Sequence, residues 1–411
     1  RIALCVRLWY TYDSLAVMRL MRLHPRRYRR VRRLAIGSGV CAAVLLCGCV
    51  RKISVAPVKP FQDPVALPAR ELPALPILAY HRVTPRATNH MVVAPELLRE
   101  HLRALRDSGY TAITPDEWYD ALHGRHTLPP KPVMITFDDA WRDQYEYALP
   151  ILDEHGVRAA FFAYTSTIGS PGTMSWDELR DVARRGHIVG CHTATHSDLA
   201  RPFGHESADQ YGRRLQREIV EARHNLEQQL GVSVQHFCYP YGYYNSNVIA
   251  LVRAAGYRTA MTVNPAVNDA RTPLPQLGRI IVAPWHSGGE LLGLMAARPL
   301  RLQDVAPGDG AMPHGQTTQL RAQLPGTLAP LANVRVKWNW RWAEAHWDAA
   351  SRTVTLPFSA PLAAGIYTAQ VHAWDAQSNH YVSAWLFQQT AAPLQAAGAS
   401  HALAHLHERE L

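Results

Sequence analysis

The side chains with the chemistry for catalysis fall into two short clusters. Asp138 and Asp139 stand side by side, and His192 and His196 follow about fifty residues later with Thr-Ala-Thr between them. Two adjacent carboxylates in water repel each other and stay solvated. Beside a divalent cation they can divide the work, one ligating and the other left free as a base. One carboxylate and two imidazoles make a three-ligand set that keeps positions open for water and substrate, as hydrolytic metal centres require. An acid pair or a His-x-x-x-His spacing alone is common and says little. What gives these two weight is where each falls in its local pattern.

The apolar run Pro132-Val-Met-Ile-Thr-Phe137 has strand length and ends in Asp138-Asp139, while the short run His187-Ile-Val-Gly-Cys191 leads into His192. In α/β folds the carboxyl ends of strands carry the chemistry. The surroundings repeat that pattern. Strands are expected at 75–83, 157–164, 232–239, 257–263 and 277–282. Helices are expected at 95–108, 142–154, 175–186, 206–229 and 245–255, several opened by a capping residue or closed by glycine. Alternation over some 210 residues predicts a parallel α/β barrel or sheet. After residue 298 the pattern changes to short alternating runs. Val334, Val336, Trp338, Trp340 and Trp342 alternate with polar residues, and two further runs at 365–375 and 381–387 resemble a hairpin. A small all-β sandwich of immunoglobulin-like type is expected over 298–390. Period-two tryptophans are what a half-buried strand looks like, so most are expected in its core, with a sugar-stacking platform as the other reading.

The chain of 411 residues carries a net charge of +10, but residues 1–48 hold ten arginines against Asp13. That stretch alone is +9, which leaves about +1 for the rest and argues against nucleic-acid binding by the folded body. Arg26–Arg33 followed by the apolar Leu34–Leu46 reads as an export signal, with residues 1–17 as upstream sequence before Met18. Leu46-Cys-Gly-Cys49 resembles a bacterial lipoprotein cleavage box. It implies a lipid on Cys49, a membrane as partner and, with Val50 in place of an aspartate, the periplasmic face of the outer membrane. Residues 49–74 then serve as a tether, and 391–411 as a disordered tail. Of six cysteines only Cys191 and Cys238 lie in the expected fold, and both are expected as buried thiols.

Thr136-Phe-Asp-Asp139, His192-Thr-Ala-Thr-His196 and Phe237-Cys-Tyr-Pro-Tyr-Gly242 resemble motifs one, two and three of the polysaccharide deacetylase (NodB-homology) superfamily, carbohydrate esterase family four. The likeness covers roughly residues 75–285, and the expected domain 75–290. The opening Ile77-Leu-Ala-Tyr-His81-Arg-Val is most similar to the biofilm poly-β-1,6-N-acetylglucosamine deacetylases of the PgaB and IcaB group. The resemblance implies a distorted parallel (β/α) barrel of the NodB-homology type. It implies hydrolytic N-deacetylation of a polysaccharide at the cell envelope, beside envelope polysaccharide-export partners. Asp139, His192 and His196 would hold the metal, zinc first, with nickel, cobalt or iron as alternatives. Asp138 would be the base, a backbone N–H near Tyr241 would hold the oxyanion, and His81 would be the acid, with His286 as runner-up. Most of the family has an arginine where this chain has Cys238, and Arg279 is a candidate replacement. The same machinery admits a peptidoglycan or O-acetyl polysaccharide deacetylase, and a catalytically impaired glycan-binding lipoprotein is the rival of another class.

Overall fold

The structure is a computed structural model that describes residues 71–86, 89–204 and 206–391. The export signal, Cys49, most of the tether and nearly all of the tail lie outside these residues. Among the described residues no helix is long and apolar enough to cross a membrane.

Eight parallel strands form the frame: β1 (Ile77–Tyr80), β2 (Thr111–Ala112), β3 (Pro132–Asp138), β4 (Ala160–Ala163), β5 (Ile188–Cys191), β6 (His236–Cys238), β7 (Thr259–Met261) and β8 (Ile280–Ile281). Their order in the sheet is β8-β1-β3-β4-β5-β6-β7, with β2 paired to β3. All seven residues of β3 are buried, which is why it reads as one continuous apolar run rather than an alternation. Segment 277–281 reaches both edges of the sheet: Leu277 bridges Met261 of β7, and Ile280 pairs with Leu78 of β1. The curvature is that of the expected parallel (β/α) barrel.

Helices cover the strands where capping chemistry starts them. Ser175 and Glu178 form a reciprocal capping box before Trp176–Arg184, and Asn245 caps Ser246–Ala254 through the N–H of Val248. Two helices escaped the sequence reading, Pro115–Leu122 and Gly288–Met295, and each opens with a capping box, at Thr114/Glu117 and Ser287/Glu290. The expected helices over 142–154 and 206–229 each contain a π-helical stretch, Gln144–Ala148 and Gln216–Glu221. Such wide turns inside helices gather at functional sites, and both stretches matter below.

The region after residue 298 is all β, with a five-stranded and a four-stranded sheet. Val336, Val371 and Phe387 from one and Leu320, Val354 and Leu356 from the other share a single core. The alternating run 334–342 is two strands and not one. Leu331–Trp338 turns back through Asn339 and Trp340, both at positive φ, into Arg341–Ala343. Trp338 and Trp347 pack against the core and Trp385 lies in it, whereas Trp340 and Trp342 are 48% and 44% exposed. Core packing thus holds for Trp338, Trp347 and Trp385, while Trp340 and Trp342 face solvent.

The β region is bonded to the α/β region by buried polar groups. Asn245 Nδ2 donates to the Ala200 carbonyl at 2.8 Å and to Gln388 Oε1 at 3.0 Å. The Tyr244 hydroxyl donates to Asp309 at 2.5 Å and accepts from Asn264 at 2.7 Å. Leu386 belongs to the main core cluster of the α/β region.

Candidate active site

β3 delivers Asp138 and Asp139 to the carboxyl end of the sheet, and β5 leads directly into His192. Three donor atoms then converge. Asp139 Oδ1 lies 3.7 Å from His192 Nε2 and 3.5 Å from His196 Nε2, and the two imidazoles meet edge to face. Each donor is aimed by a partner. The Trp141 indole N–H donates to Asp139 Oδ2 at 3.0 Å, which leaves Oδ1 facing the histidines. His192 Nδ1 lies 2.8 Å from the Cys238 carbonyl, so that nitrogen carries the proton and Nε2 presents its lone pair. Burial pushes His192 down to about 3, lowers His196 and raises Asp139. Two neutral imidazoles and a carboxylate whose buried charge needs a counter-ion fit a divalent cation.

Asp138, His192 and Cys238 also approach one another. That trio is a poor cation site, because Asp138 and Cys238 are already engaged by Arg279. The Arg279 guanidinium is fully buried and all five of its N–H donors are used. Nε donates to the Thr262 carbonyl at 2.8 Å. One terminal nitrogen reaches Thr136 Oγ1 at 3.0 Å and Asp138 Oδ1 at 2.8 Å, and the other reaches Asp138 Oδ2 at 2.7 Å and Cys238 Sγ at 3.0 Å. Burial alone would raise the Asp138 carboxyl, but the guanidinium overrides it and holds the group well below the usual carboxylate range. The cation expected near the base is thus Arg279, brought in by the 277–281 segment.

His81 Nε2 lies 3.8 Å from Asp138 Oδ2. The ring is buried, which lowers its pKa, while Asp138 and Asp139 raise it. Its Nδ1 has no hydrogen-bond partner among the described residues. His286 is engaged elsewhere. Its ring accepts from the Ala283 N–H at 3.2 Å and its carbonyl accepts from buried His101 at 2.6 Å. Tyr241 is the middle residue of the short turn Pro240–Gly242, at a non-helical φ of +58°, with its ring 4.6 Å from that of His196 and its side chain 54% exposed. Residues opening a turn have no internal partner for their N–H groups, as an oxyanion donor requires.

Backbone strain is concentrated in the same place. Among the described residues ten non-glycine positions have positive φ, and five of them are Asp139, Ala140, Thr193, His196 and Tyr241. Positions held in that region gather at functional sites because the surrounding structure must over-determine them. Two side chains from the π-helical stretches do that here. Gln144 Nε2 donates to the His81 and Asp138 carbonyls at 2.5 and 2.6 Å, tying the ends of β1 and β3. Buried Glu218 accepts from the N–H groups of Ala194 and Thr195 at 3.0 and 2.8 Å and from the Thr195 hydroxyl at 2.6 Å. It clamps the loop between the two histidines. Sequence reasoning missed both, and nothing in their spacing marks them. Trp141 orients a carboxylate, and Tyr244 is fully buried.

A profile of the polysaccharide deacetylase family matches residues 125–260, the stretch that supplies both aspartates and both histidines. The chain carries a polysaccharide deacetylase domain. Over 219 residues it is 28% identical to the putative polysaccharide deacetylase YxkH of Bacillus subtilis, covering 53% of this chain and 75% of that one. It is 24% identical over 246 residues to the poly-β-1,6-N-acetyl-D-glucosamine N-deacetylase of Escherichia coli, covering 50% of this chain and 36% of the relative. The deacetylase PplD of Streptococcus pyogenes, solved in complex with acetate, superposes with a TM-score of 0.50 at 26% identity, over 55% of this chain and 99% of that one. Each of these three likenesses spans about half of this chain.

Two substitutions test the deacetylase site. Arg279→Met strips a buried carboxylate of its partner and should destabilise the fold by about 3–5 kcal/mol in chemical denaturation. In whatever folded fraction remains, the acid limb of the pH–rate profile should move to higher pH, because the depressing charge on Asp138 is gone. Glu218→Gln replaces one acceptor oxygen with a donor facing the histidine loop. Metal affinity by chelator competition should fall about 10–100-fold.

Proposed function

We propose that this chain hydrolyses acetamide groups on an N-acetylglucosamine polysaccharide, with Asp139, His192 and His196 as ligands of a divalent ion. Zinc is the first choice and nickel, cobalt or iron the alternatives. The observation that carries the reading is the division between two adjacent carboxylates, Asp139 turned to the histidines and Asp138 held apart by Arg279. A divalent ion supplies Lewis acidity that activates water and polarises a carbonyl at neutral pH.

The chain's own groups do the rest. Asp138, kept ionised by Arg279, accepts the proton of the attacking water. The backbone N–H at Tyr241 stabilises the tetrahedral oxyanion. His81, whose Nε2 is beside Asp138 at the mouth of the site, protonates the departing amine. The exposed ring of Tyr241 offers a face to the sugar next to the reacting acetyl group. The poly-β-1,6-linked polymer is favoured because the Tyr80-His81 strand end matches the biofilm deacetylase pattern and places an imidazole where an acid is needed. Peptidoglycan and O-acetylated polymers use the same machinery and are the alternatives.

The division into a deacetylase domain at 75–290 and a sandwich at 298–390, immunoglobulin-like in strand pattern, belongs to the same proposal. So does placement at the periplasmic face of the outer membrane through a lipid on Cys49. That anchoring rests on the leader sequence, and Cys49→Ala should move the chain from the membrane to the soluble fraction with loss of palmitate labelling.

Acetate and free-amine release should be measured on β-1,6- and β-1,4-linked N-acetylglucosamine oligomers and on acetylated xylan, with each metal added. Amine should appear from the β-1,6 oligomers. Asp138→Asn and His81→Ala should each lower kcat by about 10²–10⁴-fold, while His286→Ala stays near the parent rate. Equal rates for His81→Ala and the parent would remove His81 from the mechanism. Ester cleavage alone would make the chain an O-deacetylase, and silence with metal bound would favour the glycan-binding rival.

A further inference from the structure

The five-stranded sheet has a second face, turned away from its core. Residues paired across neighbouring strands share a face. The register therefore places Arg335, Lys337, Trp342, Gln370, His372 and His380 together. The Arg335 guanidinium and the Lys337 ammonium lie 4.0 and 4.7 Å from the centre of the Trp342 ring. His372 Nδ1 lies 3.0 Å from His380 Nε2, and the two rings stack.

Two cations, Arg335 and Lys337, thus converge beside two imidazoles that burial keeps neutral, without an acid among them. Burial and Arg335 both lower the Lys337 ammonium, and His372 is pushed down to about 3 by burial and then by Lys337, His380 and Arg335. Among the described residues no carboxylate forms an ion pair with Arg335 or Lys337, although most arginines of the deacetylase domain have one. An uncompensated cluster of this kind raises the local concentration of anions.

Next to the cluster is a cleft of about 180 Å³, lined by Lys337, Trp340, Gln370, His372 and His380 and, from the α/β region, by Leu294. Trp340 stands at its hairpin tip at φ +67°, after Asn339 at φ +46°. A two-residue turn of that hand favours Asn-Gly, and a bulky ring in the left-handed region is strained. Folding gives no reason for an indole there, and Trp340 is half exposed rather than packed. Its ring is available to something outside the chain.

We propose that this face is an accessory binding site for a polysaccharide strand carrying carboxylate or phosphate groups. The indoles of Trp340 and Trp342 stack against the apolar C–H faces of the sugar rings, and Arg335 and Lys337 pair with the anionic substituents. Gln370, at the base of the cleft, hydrogen-bonds a sugar hydroxyl. The site shares no residue with the acetyl chemistry, so it stands or falls apart from the deacetylase reading.

The test is affinity electrophoresis of the full-length Cys49→Ala chain, which lacks the proposed lipid site, in gels containing polygalacturonate, neutral dextran or no polymer, with flotation on phosphatidylserine-rich vesicles alongside. Polygalacturonate should retard the chain at least about tenfold more strongly than dextran, and added salt should weaken the effect. Trp340→Ala combined with Trp342→Ala should weaken retention by about tenfold or more, while Trp340→Phe keeps most of it. Arg335→Gln combined with Lys337→Gln should flatten the salt dependence. All these variants should keep the parent's thermal melt and its rate on short soluble oligomers. The proposal is overturned by equal retention on dextran, by retention that ignores the substitutions, or by vesicle binding that exceeds polymer binding.

Discussion

The buried ion pair between Asp138 and Arg279 is the constraint on which the deacetylase site depends. Taking both charges out of water costs several kcal/mol per ion, and only excellent geometry recovers it. Here the geometry is complete: two parallel N–H bonds to the carboxylate and a partner for each remaining guanidinium donor. To reach Asp138 from residue 279, the segment 277–281 must lie against both β7 and β1. The pairing that sets the charge on the base therefore also holds the two edges of the sheet together. Cys238 makes this possible in a simple steric way. Its small side chain lets a guanidinium enter from the opposite side, and the sulfur accepts one of its protons.

With Asp138 engaged on both oxygens, the neighbouring Asp139 must turn the other way. The turn is made by left-handed backbone at Asp139 and Ala140, and it points the second carboxylate at the two histidines. Strained loops of this sort relax unless something holds them. Gln144 and Glu218 are the holders, and each comes from a helix that widens into a π turn before continuing. A regular α-helix would rotate these side chains by part of a turn and carry them away from the loops they bind. The irregular helices and the strained loops are two sides of one balance.

How much of this was legible in the chain follows from how local each determinant is. Strand ends with acids or histidines, capping boxes and glycine stops are written within a few residues, so the α/β order and the four central positions could be read directly. Arg279 could be named only as a candidate, because its partner is 141 residues away. The role of Trp141 is not written in the chain either, although it is two residues from Asp139. An indole that packs and an indole that donates to a carboxylate have the same sequence signature. The run from Val334 to Trp342 misled for a different reason: its period-two pattern continues through a hairpin turn, where no glycine announces the reversal. The π turns left no trace at all, since they depend on what the helix must reach.

The β region then has a second role besides any ligand it holds. Its polar contacts include Tyr244, Asn245 and Gln276, all in segments at the carboxyl end of the sheet. Tyr244 and Asn245 follow within four residues of Tyr241, whose turn is the proposed source of the oxyanion N–H. Gly242 between them has φ +70° and packs so closely on Val263 that a Cβ would come within 2.3 Å of that side chain. The turn is thus pressed against β7 on one side and pinned to the β region through Tyr244 and Asn245 on the other. A region that merely trailed behind the deacetylase domain would have no need to bury an asparagine and a tyrosine at this boundary. It acts as a buttress for the loop that must hold its place while charge develops on the substrate.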